Sequence, residues 1–394
     1  MDTAAFDHLD EALTAGPPGA ALDALAERLA AAADYRALLD ALLLRARLDL
    51  GLPLARPGSL ADLPEPARTA YEDRYVAAIT RVGTLILDAG ELGAAWSYFR
   101  AIGEKGPIYE AIDRFVPDPD DHERLDEVID VALGQGVHPA RGFDLVLDRH
   151  GTCSALSAFE SLPPDEAIRR RAEVRLVDRL HADLLVNLGA DLARRGLDPL
   201  PPDVDLAAWL VGRDELFEDD AYHLDVSHLA MIVRLSPLLT DPEPIQRAVA
   251  LAEYGRRLSP RLGGEPEPPF DDFYADHARY LRALLGDDPD GAVALFRSRL
   301  AEPDPANCEA PHRAQTLVRL LDRLGRPGEA FDVAAAHLAR VPDGALGEPT
   351  LAQLGLKLGR ADQLADLARA ADDPVKYAAF RLEASGAVGP PIPN

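Results

Sequence analysis

Shifted by 34 residues, the C-terminal part of this chain falls into line with itself. Thr316/Thr350, Leu317/Leu351, Leu320/Leu354, Leu324/Leu358, Gly325/Gly359, Arg326/Arg360, Ala334/Ala368 and Ala336/Ala370 are identities at that offset. A Leu-Gly-Arg turn recurs at 324–326 and 358–360, each time between two runs with helical spacing. The repeating unit is therefore helix, turn, helix. Such a pair cannot bury its apolar face alone, so copies must stack. Glycine at the turn suits the left-handed residue that closes a helix, and the recurring alanines let neighbouring helices approach closely.

Composition carries this reading along the rest of the chain. Ala and Leu supply 129 of the 394 residues. Both are strong helix formers, while Val, Ile and Thr never form a strand-like run. The 33 prolines and the Gly/Pro clusters at 16–19, 53–66, 117–119, 163–164, 199–202, 263–269 and 303–305 cut the chain into many short helices. One longer helix is expected over Asp165–Arg195. The predicted fold class is all-α, a solenoid of stacked helix-turn-helix pairs that is irregular in the middle. Its expected parts are an N-terminal hairpin (1–57), a helix-pair region (62–116), an irregular region (117–262), C-terminal repeats with a capping helix (270–385) and a disordered tail (386–394).

The pattern resembles the tetratricopeptide-repeat family. The window from Val76 places Ile79, Val82, Gly83, Ile86, Gly90, Ala95, Phe99, Ile102 and Pro107 at that family's key positions. A second window, from Pro311, places Ala314, Leu317, Val318, Leu321, Gly325, Ala330, Ala334 and Pro342. A third, from Ala345, keeps Leu351, Ala352, Gly359, Ala368 and Ala371, but carries Leu364 where the family has a small residue. The family's Trp at the fourth position is absent from all three. In this family the first helix of each pair lines a concave face that holds partners. The resemblance implies that Gln315, Arg319, Asp322 and Arg323 lie there, followed by Gln353 and Lys357. Lys357 beside Arg319 and Arg323 would make a cationic patch suited to a peptide carboxylate or acidic side chain.

Charge and motifs narrow the function. With 41 Lys+Arg against 67 Asp+Glu the net charge is −26. That disfavours nucleic acid and anionic membrane as partners, since both need local positive charge. The N-terminus has no signal-peptide pattern, and no run approaches 18 apolar residues, so the expected location is the cytoplasm. The 38 Arg against 3 Lys suit a GC-rich bacterial genome. There is no Gly-Lys dipeptide for a P-loop, no G-x-S-x-G, no C-x-x-C and no complete dinucleotide fingerprint. No cofactor is implied.

Three clusters carry possible chemistry. Asp219, His223, Asp225 and His228 are the residue types of a divalent-metal site, and a metal-dependent hydrolase built on them is the enzyme alternative. On one helix, however, His223 and His228 would point away from each other, and the Asp residues would simply favour a helix start. His150-Gly151-Thr152-Cys153 sets a thiol near an imidazole; the expected reading is a glycine helix break with Cys153 as a small buried filler. Residues 169–195 carry seven Arg against four acids, a local +3 in an acidic chain. That segment is expected as a solvated helix, or as one docking on the acidic run Asp214–Asp220. The favoured function is non-catalytic protein or peptide binding, with a structural subunit whose groove is filled by its own chain as the further alternative.

Overall fold

The computed structural model describes residues 3–55, 63–201, 204–301, 309–342 and 345–386. Among them every regular element is a helix, and the sole β-feature is an isolated bridge between Glu267 and Phe270. The chain packs as two compact units, Met1–Ile168 and Arg169–Asn394, so the division falls inside the segment expected to be irregular.

The first unit holds α1 (Thr3–Ala15), α2 (Pro18–Ala31), α3 (Tyr35–Asp49), α4 (Ala67–Asp88), α5 (Leu92–Ala101), α6 (Gly106–Arg114), α7 (His122–Ile129) and α8 (Pro139–Glu160). Consecutive helices pair: α2 with α3, and α4 with α5. Asp34 starts α3 by accepting the Ala37 N–H at 3.1 Å, and Gly90 turns α4 into α5 at φ 87°. The residues expected to pack do pack. Val82, Ile86, Ala95 and Phe99 are at most 2% exposed, within a core that continues through Trp96, Ile108, Ile112 and Val131. Gly83 is required there, because a Cβ would sit 2.9 Å from the Phe99 ring. One π-turn, Asp130–Gly134, follows α7. Gly151 (φ 77°) breaks α8, as expected. Cys153 is a correction: the break turns it outward, and it is exposed rather than buried.

The second unit takes in α9 (Glu166–Arg195) from Arg169 onward, followed by α10 (Leu206–Trp209), α11 (Val226–Leu235), α12 (Pro242–Gly255), α13 (Phe273–Leu284), α14 (Pro289–Leu300), α15 (Ala310–Arg323), α16 (Pro327–His337), α17 (Leu351–Lys357), α18 (Ala361–Ala370) and α19 (Pro374–Ala384). Helix α9 is amphipathic rather than wholly solvated: Leu176, Leu180, Leu184, Leu188 and Leu192 recur every four residues and are at most 3% exposed. Its C-terminal end meets the acidic run, where Arg195 donates to the Glu215 carbonyl at 2.6 Å.

The repeat windows coincide with helix pairs. Helices α15 and α16 turn at Gly325 (φ 72°), and α17 and α18 turn at Gly359 (φ 67°). Ala314, Leu317, Val318, Leu321, Ala330 and Ala334 are all fully buried. The large Leu364 in the third window is accommodated by Gly355 opposite, where a Cβ would lie 2.6 Å from the Leu364 side chain. Helix α19 packs on α18 with no buried residue of its own. Residues 387–394 of the expected tail, and Cys308, lie outside the described residues.

Candidate functional site

Of the side chains expected to line a partner groove, Gln315, Arg319 and Gln353 are brought together on one segment, 346–350, and these three, Arg323 and Lys357 are already engaged. Gln315 and Arg319 lie one turn apart on α15. The Gln315 amide donates to the carbonyls of Gly347 at 3.3 Å and Pro349 at 3.1 Å. Arg319 donates from Nε to the Glu348 carbonyl at 2.9 Å and from Nη2 to the Leu346 carbonyl at 2.5 Å. Two side chains thus hold four successive main-chain carbonyls, 346 to 349. Gln353 completes a capping box with Thr350 and donates to the Glu348 carboxylate at 2.7 Å. Lys357 sits 3.2 Å from the Asp322 carboxylate. Arg323 points elsewhere, donating to the carbonyls of Pro237 at 2.8 Å and of Leu239. The sequence carried no local sign of the 346–349 strap, because its partners lie 27 to 34 residues earlier.

The metal candidates divide among separate roles. Asp225 is the N-cap of α11, accepting the N–H groups of Ser227 at 2.9 Å and His228 at 3.2 Å. The Ser227 hydroxyl, with those amides, holds its carboxyl below the usual range. His228 lies in the first turn of α11, and Asp219 is exposed at a left-handed turn position (φ 57°). His223 precedes α11 and is buried. Its Nε2 is 3.2 Å from Asp191 of α9, and its Nδ1 is 3.1 Å from the hydroxyl of Tyr254 of α12. That hydroxyl also accepts the His223 N–H at 2.6 Å, and Asn187 donates to the His223 carbonyl at 2.7 Å.

Asp191 is tied to Arg194 and Arg195 at 2.9 and 2.7 Å as well. Burial alone would raise its pKa; the His223 hydrogen bond and the Arg195 charge outweigh this and hold it low. This network joins two helices through a loop. Among the described residues no group of three or more His, Cys, Asp and Glu is arranged to hold a metal ion.

A cleft of about 510 Å³ opens beside the strap. Its apolar wall includes Leu235, Pro237, Phe270 and Tyr280, and Gln315, Arg319 and Leu346 border it. The ring of His277 stacks on Phe270 with centroids 3.8 Å apart, and its Nδ1 donates to the Phe273 carbonyl at 2.7 Å. Burial pushes the His277 imidazole down to about 4, so it is neutral at neutral pH. Nothing in the sequence pattern marked this cleft, because its walls come from four separated segments.

Compared with protein-family models and with curated proteins, the chain matches none.

Proposed function

We propose that this chain is a non-catalytic binding scaffold of the helical-repeat type, and that its α15 face recognises extended protein backbone. The supporting observation is the grip of Gln315 and Arg319 on the carbonyls of 346–349. A row of carbonyls held by amide and guanidinium donors is the chemistry of peptide recognition, here exercised on the chain's own segment. The 34-residue repeat and the in-register burial of its windows support the tetratricopeptide-like reading. No described helix is long and apolar enough to cross a membrane, which fits a partner that is not the bilayer.

The same strap favours one second reading, a structural subunit whose groove is permanently self-filled. The two readings part in one experiment. Immobilised full-length protein is used to capture partners from an extract of its source, and the captured proteins are identified by mass spectrometry. Arg319→Glu with Lys357→Glu is compared with the wild type. The binding reading expects a recovered partner that the double variant loses. The self-filled reading expects unchanged capture and a lower Tm. Stoichiometric zinc, manganese or iron that disappears in His223→Ala would instead revive the hydrolase.

A further inference from the structure

The strap 346–349 shows what its site selects. Its four carbonyls accept from Gln315 and Arg319, yet none of residues 345–350 is itself buried. Helix α15, which supplies the donors, is different: its Leu317, Val318, Leu320 and Leu321 are 0% exposed. Open space borders the strap as well. The cleft of about 510 Å³ reaches Leu346, and a void of about 30 Å³ touches Leu346 and Gly347. Polar contacts hold this segment with little apolar packing, and segments of that kind open at low cost. Gln315 is only 4% exposed with the strap in place, so a ligand reaches these donors by replacing the strap.

Three strap residues carry side-chain requirements. Gly347 is left-handed (φ 74°), and a Cβ there would lie 2.6 Å from Nη2 of Arg319. Arg319 cannot give way without dropping the carbonyls of Leu346 and Glu348, so only glycine fits. The Glu348 carboxylate accepts from the Gln353 amide at 2.7 Å. The Leu346 side chain joins the cleft wall of Leu235, Pro237 and Phe270. The site is thus matched to an aliphatic residue, a glycine and an acid in succession. The tripeptide Gly-Glu-Pro stands once more in the chain, at 264–266. There Gly264 lies against the Phe273 ring with no room for a Cβ, so that segment is tied down by its own packing. The matching segment therefore comes from another protein rather than from a second copy.

We propose that the strap is a resident stand-in for the partner, and that the α15 site takes in its place an extended segment of another protein carrying aliphatic–Gly–acid. This rests on the binding reading above and adds the partner's sequence to it. The probe is the strap sequence 345–350 as an acetylated, amidated peptide, titrated calorimetrically against the full chain. The tethered strap competes at an effective concentration of about millimolar, so the wild type should bind the peptide weakly. Gly347→Ala unseats the strap and should bind the peptide at least about tenfold more tightly. Glu348→Ala, at an exposed position, should shift affinity the same way, and it carries the test if Gly347→Ala does not fold. On either variant, the peptide with alanine for its glycine should bind at least about tenfold more weakly, and added Arg319→Ala should abolish binding. Affinity no higher than wild type in the folded variants, equal binding of the alanine peptide, or binding that survives Arg319→Ala would overturn the proposal. So would self-association of Gly347→Ala that the peptide reverses, which would move the source to a second copy. A partner captured from extract and lost in Arg319→Glu with Lys357→Glu, without any peptide binding, would leave the scaffold standing and refute this partner sequence.

Discussion

Glu173 is fully buried in α9, and neither carboxylate oxygen has a hydrogen-bond partner. Burial raises its pKa well above the usual carboxyl value, because an unpaired buried charge is costly. The folded chain thus keeps a proton that the unfolded chain releases. The sign follows: stability falls as pH rises from the ordinary carboxyl range towards the folded-state pKa. Glu173→Gln should therefore be more stable than the wild type at neutral pH, with a flatter dependence. Urea unfolding at about pH 5 and about pH 8 checks it.

His277 works in the opposite range. Its pKa drops from 6.5 to about 4 on folding, so the unfolded chain binds the extra proton, and stability is lost as pH falls through that window. His277→Phe should remove this acid-side loss, seen as a smaller drop in Tm between neutral and mildly acidic buffer. Single residues were the least legible part of the sequence. Cys153 looked like core, but the rotation that Gly151 imposes turned it to solvent. His223 looked like a ligand because Asp219, Asp225 and His228 are its sequence neighbours, whereas its side-chain partners Asp191 and Tyr254 are 32 and 31 residues away.

At the scale of elements, helix pairs stand or fall on close approach. Gly355 and Leu364 exchange the usual order of large and small across α17 and α18. Gly355→Ala should cost roughly 1–3 kcal/mol by overpacking. Much of that cost should vanish in a Leu364→Ala background, where the space is open, and a double-mutant cycle by urea denaturation measures the coupling. Gly325→Ala meets no neighbour but forces a left-handed alanine at φ 72°, at a cost of roughly 1–2 kcal/mol. The elements were largely readable, because Gly325, Gly359 and the periodic leucines act through neighbours within one turn. The α9 leucine stripe was equally present in the sequence, but the density of arginine over 169–195 drew attention to the solvated face.

For the whole molecule, the sequence displayed repeats, while the structure adds two compact units and a strap laid across the expected partner face. The strap was illegible because hydrogen bonds from side chains to a row of carbonyls leave no residue pattern on the accepting segment. It also gives the binding reading a physical requirement: a partner on α15 must replace the contacts that 346–349 already makes. The most direct test is a titration of the captured partner against the wild type and against Arg319→Glu with Lys357→Glu, each shown folded by circular dichroism. Affinity should be weakened at least about tenfold in the double variant, as expected for lost charge-assisted contacts. Equal affinity for the two proteins would contradict it.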